Sequence, residues 1–101
     1  MPKYKVYFTP QALEDILASY EWGLVAWGEA AAGKWIRKLH EIVYRRLSAF
    51  PDSCPLAPES PELEADVRQL VFLRYRALFE VKKRQVIVLR VEGPYTGRPG
   101  V

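Results

Sequence analysis

From residue 67 to residue 92 the chain alternates apolar and basic positions, VRQLVFLRYRALFEVKKRQVIVLRVE, without a single Gly or Pro. A period of two in a stretch rich in Val, Leu, Phe and Tyr predicts strands that pleat against a core on one face and carry charge on the other. The stretch divides into strands at 67–73, 75–81 and 86–92. The first pair joins tightly near Leu73-Arg74 and the second through residues 82–85, neither turn having the Gly or Asn that tight hairpins favour. The last strand, VIVLRVE, is apolar enough to lie in the middle of a sheet. Tyr75 and Arg76 are neighbours and so point to opposite faces. Residues 3–8 alternate as well, with Tyr4, Val6 and Phe8 on one side, and predict a short strand at a sheet edge beside one of the later three.

Between these strands the period changes to that of a helix. Thr9 is a capping residue, and Pro10 suits the first helical position, where its missing N–H would be unpaired anyway. Glu14 and Asp15 complement the positive end of the helix dipole. Leu13, Ile16, Leu17, Tyr20, Leu24 and Trp27 recur at spacings of three and four, which predicts one apolar stripe. Gly28 stops this helix and Glu29 starts a second. Its stripe is Ala32, Trp35, Ile36, Leu39, Ile42, Val43, Leu47 and Phe50, with Lys34, Arg37, Lys38, Glu41 and Arg45 opposite. So short a link predicts an antiparallel hairpin. Gly33 costs about 1 kcal/mol relative to Ala inside a helix, and close approach of a neighbouring element would explain it.

Pro51 ends the second helix. From there to Asp66 the chain is an acidic connector broken by Pro55, Pro58 and Pro61, long enough to expect one short helical turn around residues 62–65. The order is strand, helix, helix, strand, strand, strand. It predicts an α+β domain, β-α-α-β-β-β, in which a helical hairpin packs on a small antiparallel sheet. The whole chain, 1–101, reads as one domain, with residues 92–101 an irregular tail.

Composition narrows the class. The chain has 101 residues, half hydrophobic and 13% aromatic, which suits one packed core rather than disorder. No apolar run approaches the roughly 20 residues of a membrane helix, and the N-terminus lacks the features of a signal peptide. A lone cysteine, Cys54, excludes an internal disulfide and cannot build a metal site; with no basic neighbour in sequence it is expected to be inert. A cytoplasmic protein without cofactor or metal is expected. The net charge of +3 is small but unevenly spread. Basic residues gather at 34–46 and 68–98, whereas Asp52, Glu59, Glu62, Glu64 and Asp66 occupy a stretch with none. Such a field favours an acidic partner, either nucleic acid or a protein surface.

Several phrases, in this order and spacing, resemble the RelE/ParE family of toxins from bacterial toxin–antitoxin pairs. They are YKVYFTPQALEDI, WGEAAAGKWIRKL, the Phe50-Pro51 helix end, VRQLV, YRALFEV and VIVLRV. The resemblance spans nearly the whole chain. It implies the same fold, a role in growth inhibition and plasmid stabilization, and a cognate antitoxin that wraps part of the surface in a hetero-oligomer. Two targets occur in the family. RelE-like members are similar to endonucleases that cut mRNA on the ribosome, and ParE-like members poison DNA gyrase. A degenerate member that only binds its antitoxin is a further alternative.

Metal-free RNA cleavage needs a base, cations for the phosphorane charge, and an acid for the leaving oxygen. Arginine suits the second task because its planar fork meets phosphate bidentately. Arg76 matches the position after the family's tyrosine that nuclease members use in this way; the alternative is a sheet-face arginine paired with Glu80. Nuclease members also resemble one another in a basic residue just after the last strand. Here that segment reads Glu92-Gly93-Pro94-Tyr95, which counts against RNA cleavage and towards the ParE side. The target-binding candidates are therefore Arg68, Arg76, Arg90, Tyr95 and Arg98. Those for antitoxin are Trp22, Arg74 and Arg76. Arg68 shares a face with Leu70 and Phe72, so its stem is expected to be partly buried. Trp27 and Trp35 fall on the apolar stripes and read as core, whereas Trp22 lies off them. His40 reads as a surface or boundary residue of the second helix.

Overall fold

The computed structural model describes residues 4–93. Strand β1 (Lys5–Phe8) leads into helix α1 (Pro10–Trp27), which turns at Gly28 into helix α2 (Glu29–Ala49). A connector with two short 3₁₀ turns, Pro51–Ser53 and Ser60–Leu63, then delivers the chain to β2 (Arg68–Phe72), β3 (Tyr75–Lys82) and β4 (Gln85–Glu92). The sheet order is β1-β4-β3-β2.

The expected antiparallel sheet is thus a mixed one. Strands β2, β3 and β4 form an antiparallel meander, but β1 lies parallel to β4, in register from Lys5↔Gln85 to Phe8↔Val88. The connector after the helical hairpin carries the chain back so that β2 and β4 both run in the direction of β1, which fills the edge beside β4. The apolar β4 lies inside the sheet, as its composition predicted.

The helices cover one face. Leu39, Val43 and Leu47 of α2 meet Leu70, Phe72, Tyr75, Ala77, Phe79, Val86, Val88 and Val91 of the sheet in the main core. The α2 stripe is as predicted except at its end, where Phe50 is past the last helical turn and exposed. Helix α1 keeps Ile16, Tyr20 and Leu24 of its expected stripe partly buried, but its inward line is turned away from the other three. Its fully buried residues are Ala12 and Gly23, with Ile16 and Ser19 partly buried on the same line, whereas Leu13, Leu17 and Trp27 are exposed. Two stripes share the helical period, and the one with small residues faces inward because it lets the backbones approach. A Cβ on Gly23 would lie 3.0 Å from the Trp27 ring and 3.4 Å from Ala32 Cβ. Gly33, the expected contact glycine, has only an Arg37 nitrogen nearby, at 3.5 Å.

Gly28 holds φ +91°, a conformation closed to most side chains, and its N–H caps α1 on the Leu24 carbonyl. The tight β2–β3 turn is at Leu73-Arg74, both with positive φ (45° and 66°), and the β3–β4 turn is Lys83-Arg84 with Lys83 at 57°. Residues 82 and 85, expected in that turn, are strand residues paired with one another.

The second face of the sheet is covered by the connector. Ala57, Val67 and Leu78 form a separate small core there, joined by Ala65 and Leu89. Buried Ser60 pins this lid, its Oγ donating to the Ala65 carbonyl (2.6 Å) and accepting from the Val67 N–H (3.0 Å). The expected helical turn is present, shifted towards the chain start by the Ser60-Pro61 pair.

A register shift between Leu78 and Phe79 puts one extra residue, Leu89, into β4. A bulge frees backbone groups from the ladder, and α1 satisfies them. Thr9 Oγ1 accepts from the Ala12 N–H (3.1 Å), as a cap should, and donates to the Leu89 carbonyl (3.0 Å). Asp15 accepts the Val91 N–H (2.9 Å). Asp15 therefore anchors α1 to the bulge. It lies beyond the first turn, which contains no acidic residue, so the expected dipole role falls away.

Candidate target and antitoxin surfaces

Tyr75 and Arg76 point to opposite faces as predicted, and each is buried there. Tyr75 joins the main core. Arg76, only 7% exposed, lies on the connector side and is enclosed by acceptors. It donates to Glu59 of the connector in a two-pronged pair, Nη1 to Oε1 at 2.9 Å and Nη2 to Oε2 at 2.5 Å. Nε and Nη2 also donate to Glu92 Oε1 at 3.2 and 2.5 Å, and Nη1 to Gln69 Oε1 at 3.1 Å. The Arg76 side chain thus ties β3 to β2, β4 and the connector at once. The hydrogen bonds from Arg76 hold the Glu59 carboxyl below its ordinary pKa despite partial burial. Those to Glu59 and Glu92 in turn push the guanidinium further up against its desolvation. The pairing with Glu80 does not form; Glu80 meets Lys82 at 3.5 Å.

Arg90 is turned towards α1, with Nε 2.8 Å and Nη2 3.3 Å from the Asp15 carboxylate. Burial alone would raise the Asp15 carboxyl, but hydrogen bonds from Arg90, the Val91 N–H and Gln11 outweigh it and hold the group below its ordinary value. Arg68 is half-buried, as expected of its stem, and reaches back to the Cys54 carbonyl, 2.6 Å from Nη1. Cys54 is buried, which pushes its thiol up although Arg46 and Arg68 are near. Those cations are invisible in the local sequence, and burial outweighs them. Tyr95 and Arg98 lie outside the described residues. The structure therefore does not gather Arg68, Arg76 and Arg90 into one site. They are separate struts, on the connector, the sheet centre and α1.

Three candidates are exposed: Arg90, although paired with Asp15, and two others. Arg74 is exposed at the β2–β3 turn, and Trp22 is 59% exposed on α1. Trp22 begins a chain of aromatic contacts that runs inward: to Trp27 edge-on at 5.2 Å, then Trp35 at 6.4 Å and Tyr75 at 5.2 Å. A depression of about 270 Å³ between Trp22, Ala18, Ser19, Tyr75 and Gly93 opens at the outer end. With Leu13, Leu17 and Val25 also exposed, α1 presents an apolar outer face, of which Leu13 and Leu17 were expected in the core. His40 is exposed and stacks on Tyr44, with ring centroids 6.1 Å apart. Among the described residues no three His, Cys, Asp or Glu side chains converge as metal ligands, and no helix is long and apolar enough to cross a membrane.

Comparison with known proteins agrees with this architecture. The family model of the ParE toxin of the type II toxin–antitoxin system parDE matches residues 6–93. This chain belongs to the ParE toxin family. A solved structure of the chromosomal ParDE toxin–antitoxin system from P. aeruginosa is similar, with 27% sequence identity and a TM-score of 0.74, over 89% of this chain and 95% of that one. No curated protein sequence matches significantly. The resemblance read from the sequence is thereby borne out on its ParE side, and so are the element order and α+β class. The family match runs through Gly93 and includes the whole β2–β4 meander, with Arg76 at its centre.

Proposed function

We propose that this ParE-family chain inhibits DNA gyrase in the cytoplasm and is neutralised by a cognate antitoxin. The observation that carries the reading is the state of Arg76. A phosphate-stabilising arginine must meet its anion, yet this guanidinium is buried and already shared between Glu59, Glu92 and Gln69. To bind a scissile phosphate it would have to break a bidentate carboxylate pair and desolvate two carboxylates beside the new charge. That geometry speaks against mRNA cleavage, and the family match favours the gyrase-directed branch. The exposed face of α1 around Trp22 offers apolar surface for a macromolecular partner.

The test is a supercoiling assay with purified gyrase and relaxed plasmid. The purified chain should leave plasmid relaxed or trapped as cleaved complexes, and co-expressed antitoxin should restore supercoiling. Undisturbed supercoiling, together with cuts inside codons when mRNA is mapped by primer extension after brief induction, would overturn the proposal.

A further inference from the structure

Arg76 and Arg90 are held by carboxylates, the first by Glu59 and Glu92 and the second by Asp15. Cations without such partners gather elsewhere, at the end of the sheet where β3 turns into β4. Lys82 closes β3, and Lys83 and Arg84 make the turn. The parallel pairing of β1 brings Lys5 alongside, its N–H donating to the Arg84 carbonyl (2.9 Å). All four are exposed. Lys5 pairs with Gln85 and Gln85 with Lys82. These three side chains therefore form one row across three strands, on the face turned away from the helices. The row lies past the small core under the connector, which reaches only to Leu78 and Leu89. Among the described residues no carboxylate pairs with Lys5, Lys83 or Arg84, and Lys82 meets Glu80 at 3.5 Å.

Four like charges so close together repel one another. Lys83 adds a backbone cost at φ +57°, a conformation that glycine or asparagine holds with less strain. Local stability thus argues against cations here, and an anion outside the chain would reverse that balance. The row spans two strand spacings, roughly 9–10 Å. A DNA duplex carries a phosphate on each strand about every 3.4 Å of its axis, so such a row meets several of them in any register. We propose that Lys5, Lys82, Lys83 and Arg84 grip the phosphate backbone of duplex DNA without regard to sequence. A single strand laid across the face fits poorly. The next row inward is Tyr7, Ile87 and Glu80, where the carboxylate repels a backbone and Tyr7, 45% exposed, offers one ring in place of a succession. A lipid surface fits poorly as well, because the Lys83-Arg84 tip has no apolar side chain to insert. The inference goes beyond gyrase inhibition and rests on that reading for one point alone, that the duplex is the one gyrase holds beside the bound toxin.

The test is fluorescence anisotropy of a short labelled duplex of arbitrary sequence, titrated with the full chain in the absence of gyrase. Four phosphate contacts predict a slope of log K against log salt of about −3.6, or about a 150-fold loss between roughly 50 and 200 mM salt. Lys83→Gln combined with Arg84→Gln should flatten the slope to about −1.8. Arg37→Gln combined with Lys38→Gln removes the same charge from exposed positions of α2 and should leave the slope as it was. Three results would overturn the inference: no binding at the lowest salt, the same slope change from the α2 pair as from the turn pair, or tighter binding of a charge-matched single strand or of phosphatidylserine vesicles. Duplex binding that persists while gyrase supercoils undisturbed would remove the place where the duplex is met and leave the contact itself standing, so the two readings fail separately.

Discussion

Truncating Arg76 to alanine should unfold the protein well before it disarms it. The guanidinium is nearly buried and holds Glu59, Glu92 and Gln69, so its removal leaves two carboxylates facing one another with no cation between them. Breaking a fully buried pair by removing one partner costs about 3–5 kcal/mol. Here Glu59 and Glu92 are each more than a third exposed and can rehydrate, so a loss of about 2–3 kcal/mol is expected for Arg76→Ala. Each kcal/mol lowers the melting temperature of a domain this size by about 4–8 °C, so the variant should melt about 8–24 °C lower. Thermal unfolding followed by circular dichroism at pH 7 reads this directly. A cycle with Glu59→Gln should give a coupling of roughly 1 kcal/mol or more, whereas Glu80→Ala should leave the midpoint nearly unchanged. If Arg76→Ala melts within about 2 °C of the parent yet abolishes toxicity, the arginine meets the target and the structural role is refuted.

Two further predictions follow from neighbouring features. Glu59 and Asp15 both have folded-state pKa values below their ordinary ones. Their stabilisation is therefore present above those ordinary values and lost as pH falls through the folded ones, so the urea midpoint should drop below roughly pH 4. The drop should be smaller in Arg90→Ala and Arg76→Ala, which have already lost the pairs; a midpoint that is flat or rises on acidification would contradict the assignment. Gly93→Ala should destabilise by about 1–3 kcal/mol through overpacking, because its Cβ would lie well inside contact distance of the buried Tyr75 ring. Chemical denaturation checks it, and an unchanged midpoint would mean that the two do not pack together.

Much of the architecture is legible in the residues because one period dominates each segment. The 67–92 alternation has no competing helical reading, and the stripe of α2 is long and unambiguous. Helix α1 is different. Its large apolar residues and its small ones, Ala12, Ser19 and Gly23, repeat with the same period, and hydrophobicity places Leu13, Leu17 and Trp27 inward where the small set belongs. Close packing selected the small set, which is a property of the neighbouring surface rather than of the helix. The parallel placement of β1 is likewise a matter of which edge remains open.

The environment of Arg76 was not legible at all. An unbroken register from the Lys82↔Gln85 pair would set Arg76 opposite Val91, and only the bulge at Leu89 brings Glu92 there. No Gly or Asn marks that bulge. Glu59 arrives from a connector whose path depends on Ser60, with nothing in its spacing to single it out from Glu62 or Glu64. An arginine that resembles a catalytic residue by position thus becomes a strut through two long-range accidents of register and loop path.

The parallel pairing of β1 with β4 also governs the order in which the protein can be made. Lys5 finds its partner at Gln85, on the last of the four strands to be synthesised, which lies inside the sheet. Neither face of β3 can close until β4 has been synthesised, so an incomplete product ending in the connector or in β3 carries amphipathic helices with no sheet to cover. Cooperative folding is deferred until β4 has been made, and chains cut short before it are left as exposed apolar segments for proteases rather than as partial toxins.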